Sequence, residues 1–207
     1  MIEVWIYGIV AGYLVGSIPI GFWIGKYVYG IDLRTTGSGK IGTTNAYRRF
    51  GFKWSLVVFI GDVSKGLVPV VLIHFLFDSS VGDAMTALAV IIGHIYPIFA
   101  GFKGGRAAAP CYGALLILTP EVALVAILLG VVIIMITRIM SLSVVLGLTV
   151  SSVSQGLLIA FGGEPEAYYL FSVGAWLIVL FAHRDNLQRL MVGQERVLNM
   201  PNSVSNE

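Results

Sequence analysis

From Trp54 to Phe77 the chain runs for 24 residues with two charged side chains, Asp62 and Lys65. Comparable apolar runs occupy about Val4 to Ile24, Ala84 to Phe102, Val122 to Ile136, Met140 to Phe161 and Tyr168 to Ala182. Runs of this length and apolarity meet the requirement for crossing a bilayer as helices, in which every backbone polar group is satisfied internally. A water-soluble domain would carry about a quarter charged residues, whereas this chain has 12% charged and 57% hydrophobic residues. The expected fold class is therefore all-α, a polytopic integral membrane protein. A further stretch, Ala107 to Leu118, has about twelve apolar residues and is expected as a short helix buried against its neighbours.

Counting the short helix as a crossing gives seven transmembrane helices, and the charges test that count. Every Lys and Arg except Lys65 then falls on one side, while the opposite loops hold Glu3, Asp78, Asp83, Glu121, Glu164 and Glu166. By the positive-inside rule the N-terminus is outside and the C-terminus cytoplasmic. No Lys or Arg precedes the first apolar run, so it reads as a retained span and not as a cleaved leader. Residues 1–198 form one transmembrane domain, with Leu187, Leu190 and Met191 on one face of an interfacial helix. Residues 199–207 read as a disordered polar tail. The net charge of +2 gives no reason to expect nucleic acid. Cys111 stands alone, excluding an intramolecular disulfide, and reads as a small packing residue.

Against this apolar background, Gly37 to Arg48 reads GSGKIGTTNAYR. Such a segment cannot face lipid, because each unpartnered polar group there would cost about 2 to 7 kcal/mol. It must line a polar site. Glycines admit close backbone approach, hydroxyls donate, and Lys40 and Arg48 supply positive charge, which together describe a cradle for phosphate oxygens. Gly37, Gly39 and Gly42 fit G-x-G-x-x-G, but the strand that the dinucleotide fingerprint requires is missing, and no lysine stands where a Walker loop needs one. The proposed topology brings this segment to the same membrane face as GFKGGR at 101–106 and HRDNLQRL at 183–190. Lys26, Arg49, Lys53 and Arg196 read as solvated or headgroup-anchoring charges. Gly12, Gly16, Gly21 and Gly25 read as helix-packing positions.

Three motifs, GSGKIGTTNAYR at 37–48, GHIYPIFAGFKGG at 93–105 and HRDNLQRLMVGQE at 183–195, make the chain similar over essentially its whole length to the bacterial membrane glycerol-3-phosphate acyltransferases that use acyl phosphate. The resemblance implies transfer of an acyl chain from acyl phosphate to the 1-hydroxyl of glycerol 3-phosphate, giving 1-acylglycerol 3-phosphate and phosphate. It implies a monomer in the inner membrane of a bacterium, with the site on the cytoplasmic side and no metal or cofactor. Ser38, Arg48, Arg106, His183 and Asn186 are the expected catalytic residues. Gly37, Gly39, Thr44 and Asn45 are expected to hold the donor phosphate, and Gly104, Gly105 and Ser143 to complete the substrate site.

Several residues carry structural expectations instead. Asp62 and Lys65 pair on one helical face, an isolated charge there costing about 3 kcal/mol on insertion scales. His94 is a structural hydrogen-bonding residue, Pro97 kinks the third span, and His74 is interfacial. Ser141 caps a helix or touches substrate, and Trp5, Trp54 and Trp176 anchor or pack. After Gly105 the family's usual lysine, small flexible residue and threonine give way to Arg106, Ala107, Ala108, Ala109 and Pro110. A guanidinium fork replaces a compact ammonium, alanine is expected to close off positive φ, and Pro110 removes a donor. Two alternatives are a divergent paralogue with another acceptor and a non-catalytic lipid-binding or transport protein. A transporter would carry its polar groups near the midplane, whereas here they gather at one face.

Overall fold

The computed structural model describes residues 2–198, so the expected 199–207 tail lies outside the described residues. Nine α-helices follow one another, with no strand among the described residues. They are α1 (Ile2–Gly16), α2 (Ile20–Val28), α3 (Thr43–Phe77), α4 (Ser80–Ile95), α5 (Ala108–Leu118), α6 (Pro120–Thr137), α7 (Met140–Ala160), α8 (Tyr168–Ala182) and α9 (Arg184–Met191). Among the described residues, five helical stretches are long and apolar enough to cross a membrane: Ile2–Val28, Thr43–Phe77, Ser80–Ala100, Pro120–Thr137 and Met140–Ala160. Ala108–Leu118 and Tyr168–Ala182 are shorter apolar helices.

The surface inverts the soluble pattern. Phe75, Met135, Ile136 and Phe161 are more than 70% exposed, whereas the interior is rich in small and branched residues such as Ala84, Ala87, Ile91 and Ala114. Small residues let helix backbones approach, as membrane packing requires. Gly12 and Gly16 of α1 lie against the carbonyls of Thr86 and Val90 in α4, and Gly66 of α3 lies against Pro110 at the start of α5. Trp176 packs between helices, its Nε1–H donating to Thr149 Oγ1 at 3.1 Å.

The structure corrects two expected spans. The first is broken at Ser17–Pro19, where a proline cannot continue the ladder, so α2 starts anew at Ile20. The third stops at Ile95 instead of being kinked: Pro97 disfavours helical backbone at Tyr96, and a 3-10 turn over Ile98–Ala100 follows. The second, Trp54 to Phe77, is helical as expected; ahead of it Gly51 adopts φ 76°, a conformation glycine tolerates. This separates a first segment, 43–50, from the apolar remainder of α3.

α5 has 11 residues, so at 1.5 Å per residue it reaches about 16 Å, half of a hydrocarbon core. It packs against both α3 and α6. A groove is thus left along α5, walled by α3, α6 and α7.

Candidate functional site

That groove is the apolar part of a cavity of about 490 Å³, whose other end is lined by the three polar motifs. Phe59, Val63, Leu116, Ile127, Val131 and Ile134 line the apolar part. At the polar end stand the cations Lys40, Arg48, Arg106, Arg189 and Arg196.

The loop preceding α3 is organised by Asn45. Its amide nitrogen donates to the carbonyls of Lys40 at 2.8 Å and of Leu33 and Thr36 at 3.1 Å, while its Oδ1 accepts from Ser38 N–H at 3.3 Å. Its amide therefore chiefly shapes the loop. Gly37 takes φ +56° against that side chain, where a Cβ would collide with Asn45 Oδ1. Gly37 and Gly39, both in the left-handed region, give the loop its path without lining the cavity, whereas Ser38, Thr43, Thr44 and Asn45 line it.

The second motif folds back on the end of α4, Gly104 N–H donating to Ile95 O at 3.1 Å and Gly105 N–H to His94 O at 3.0 Å. Gly104 and Gly105 pack there and do not line the cavity; Arg106, next in sequence, does. Burial disfavours the charge of Arg106 and of Lys40, as do their cationic neighbours. Two expectations about the altered motif need correction. Ala107 itself adopts φ +61°, so alanine does not close off positive φ; the conformation costs about 1 to 2 kcal/mol. Pro110 lies in the first turn of α5, where its missing N–H would have had no helical partner.

The third motif supplies His183, Asn186 and Glu195. His183 is buried, and its Nδ1–H donates to Val179 O at 2.8 Å, leaving Nε2 as the free acceptor. Burial pushes its pKa down to about 4. Asn186 Nδ2 donates to Glu195 Oε1 at 2.7 Å and Arg189 Nε to Glu195 Oε2 at 3.0 Å. The carboxylate thus holds two cavity-lining side chains in place.

Ser143 lines the cavity, but its hydroxyl donates to Gly130 O at 2.8 Å, tying α7 to α6. Ser141 also lines it and does not cap α7, whose N-cap is Ile139. Of the seven side-chain atoms buried without partners among the described residues, five belong to cavity-lining residues: Thr43 Oγ1, His94 Nδ1, Arg106 Nε, Ser141 Oγ and Asn186 Oδ1. Buried polar groups rarely stay unpaired, so this concentration marks a binding site. Thr43, Arg189 and Glu195 are not among the expected site residues, Lys40 is expected only as a charge in the first motif, and Arg196, expected as a solvated or headgroup-anchoring charge, lines the cavity. The helical spacing of Asn186 and Arg189 in the third motif is the available signal for Arg189.

Among the other residues, Asp62 and Lys65 pair at 2.9 Å as expected. His74 is more than interfacial, since it meets the fully buried Asp83 at 2.8 Å.

The fold and the cavity together define a helical membrane protein in which one cavity joins a cluster of cations to an apolar groove. The family model described as glycerol-3-phosphate acyltransferase matches residues 6–193, and the chain belongs to that family. It is 39% identical to a glycerol-3-phosphate acyltransferase of Prochlorococcus marinus (strain MIT 9215), covering 92% of this chain and 96% of that one. A Geotalea daltonii protein of the same name is 36% identical over 91% of this chain and 95% of that one. Two crystal structures of PlsY, an integral membrane glycerol 3-phosphate acyltransferase, share the fold. The glycerol 3-phosphate form superimposes with a TM-score of 0.86 at 33% identity, covering 94% of this chain and 95% of that one. The lysophosphatidic acid form gives 0.83 at 30% identity with the same coverage.

Proposed function

We propose that this protein transfers an acyl chain from acyl phosphate to the 1-hydroxyl of glycerol 3-phosphate, releasing 1-acylglycerol 3-phosphate and inorganic phosphate. The observation that carries this reading is the single cavity that joins five cationic side chains to an apolar groove. Both proposed substrates bear phosphate and one bears a hydrocarbon chain, so one cavity serves both. The chain lies in the groove over α5, and Ser38, Thr44 and neighbouring backbone hold the donor phosphate. Arg48, Arg106, His183 and Asn186 hold the acceptor, guanidinium forks being suited to bidentate phosphate contacts.

In the reaction the C1 oxygen attacks the acyl carbonyl carbon, an ester bond forms, and the carbonyl–phosphate bond breaks as phosphate departs. A donor phosphate oxygen takes the hydroxyl proton. His183, held neutral, accepts a hydrogen bond at Nε2 and orients the acceptor. Acyl phosphate is already activated, so positioning and charge stabilisation supply most of the acceleration.

The charge distribution supports seven crossings in the inner membrane of a bacterium, N-terminus outside, with the site on the cytoplasmic side and α9 along the interface. The acting unit in this reading is the monomer.

Phosphate release by purified protein given palmitoyl phosphate, with and without glycerol 3-phosphate, tests the reading. Release that depends on glycerol 3-phosphate and matches lysophosphatidate formation is expected. Product formed from palmitoyl-CoA but not from palmitoyl phosphate would overturn the donor assignment.

A further inference from the structure

Asp62, Lys65 and His94 have no part in the reaction just described, yet all three are buried, and Asp62 and His94 line the cavity. They connect four separate pieces of chain. Lys65 Nζ donates to Ile18 O at 3.1 Å, at the break between α1 and α2. The same ammonium meets Asp62 Oδ1 at 2.9 Å, and His94 Nδ1 stands 3.6 Å from that oxygen, in packing contact but beyond hydrogen-bond reach, so the ring is not the hydrogen-bonding residue the sequence suggests. The His94 ring then fills the space beside Gly105, where a Cβ would come within 2.9 Å of both Cδ2 and Cε1. Gly105 N–H donates to the carbonyl of His94 itself. Arg106 follows at once with its Nε buried and unpartnered, and the left-handed Ala107 fixes the chain beyond it.

A charge pair inside an apolar bundle is an expensive way to join helices, since well-packed apolar residues of similar volume often hold as well or better. What apolar residues would not provide is a polar wall beside the imidazole, whose Nδ1 is buried with no hydrogen-bond partner of its own. We propose that Asp62, Lys65 and His94 are positioning residues, a buried pedestal that sets Gly105 and through it the Arg106 guanidinium for the phosphate of glycerol 3-phosphate. This inference rests on the acceptor assignment proposed above.

Three variants test it in detergent-purified protein. The first, Asp62→Leu/Lys65→Met, removes both charges together so that none is left buried alone. The second is His94→Ala. The third combines His94→Ala with Gly105→Ala, whose added methyl would occupy the space vacated by the ring. The readouts are kcat, the separate KM values for glycerol 3-phosphate and palmitoyl phosphate, and the rise in Tm on adding glycerol 3-phosphate.

The expected result for the first two variants is a KM for glycerol 3-phosphate raised tenfold or more, with that for palmitoyl phosphate within about twofold. The glycerol 3-phosphate-induced rise in Tm should shrink in parallel. Gly105→Ala should be tolerated better in the His94→Ala background than beside the native His94 ring, since mutations in contact are not additive. An unchanged KM for glycerol 3-phosphate in the double-charge variant and in His94→Ala overturns the proposal. So does an equal rise in both KM values with a lowered Tm, the signature of general loosening. If the double-charge variant fails to fold, His94→Ala decides. If the wild-type protein transfers no acyl chain, the reaction reading fails instead, and the pedestal is judged by whether Tm changes at positions 94 and 105 are additive.

Discussion

Replacing Gly66 with alanine tests whether α5 must seat closely on α3 for the site to form. A Cβ at Gly66 would lie 2.7 Å from the carbonyl carbon of Pro110 and 2.8 Å from its Cα, nearer still to its oxygen, whereas ordinary contact begins at 3.4 Å. The two helices would have to part by at least about 0.7 Å. The obstacle is backbone, so no rotamer change relieves it. Gly113 faces the Val63 backbone in the same seam, its Cβ position lying 3.0 Å from the carbonyl carbon of Val63, so α5 cannot slide to escape. Overpacking of this kind costs about 1 to 3 kcal/mol, or roughly 2 to 12 °C in Tm for a chain of this size. Activity should suffer more, because Arg106 to Pro110 lead into α5 and line the cavity, and a misplacement of about 1 Å can cost 100-fold in rate. Gly61→Ala in the same helix is the control: its Cβ would meet the Ile20 side chain, which can yield. Thermal unfolding in detergent and initial rates with palmitoyl phosphate and glycerol 3-phosphate should show Gly66→Ala folded but slowed at least tenfold, with Gly61→Ala much nearer wild type. Gly66→Ala with wild-type Tm and turnover would refute the close α3–α5 seam.

Four other outcomes follow from the site. His183 titrates at about 4 instead of the usual 6.5, so the kcat–pH profile should show no inflection between about pH 5 and 8 from this group; an inflection near 6.5 that disappears in His183→Gln would contradict the neutral-acceptor role. Its depressed pKa also fixes a sign for stability: as pH falls from 6.5 towards 4 the unfolded chain takes up a proton that the folded one does not, so Tm should fall across that window and less so in His183→Gln. Asn45→Ala strips the loop carbonyls of their shared donor and should cost about 3 kcal/mol, read as a lowered Tm with a raised KM for palmitoyl phosphate; Asn45→Ala at wild-type Tm would show that the loop holds itself. Arg106→Ala should raise the KM for glycerol 3-phosphate about 10- to 100-fold, the worth of charge-assisted hydrogen bonds of about 1.5 to 3 kcal/mol, while Arg106→Lys keeps the charge but loses the fork and should raise it less. Equal KM values in wild type and Arg106→Ala would remove Arg106 from the acceptor site.

The sequence conveyed where polar chemistry had to gather because the bilayer leaves so few places for it: a run such as GSGKIGTTNAYR has no lipid-compatible position, and the structure brings it beside the other two motifs. It conveyed the division of labour within those motifs less well. Asn45, Gly37 and Gly105 stand among phosphate-binding residue types, yet Asn45 directs its amide at the loop carbonyls and the two glycines shape or seat loops. A residue type announces that a hydrogen bond or close approach is needed, not which partner receives it. Span boundaries failed for a related reason. Hydropathy averages over a window and passes through Ser17–Pro19 and Tyr96–Pro97 without a mark, although each proline ends a helix. Those two breaks matter beyond the boundaries. The first releases the Ile18 carbonyl that Lys65 holds, and the second turns the chain so that Gly104 and Gly105 fold back onto α4. An uninterrupted α1–α2 would have used the Ile18 carbonyl in its own ladder, leaving the Lys65 ammonium in an apolar bundle with one partner fewer. The prolines and the buried charges are therefore parts of one arrangement, and its outcome is the placement of Arg106.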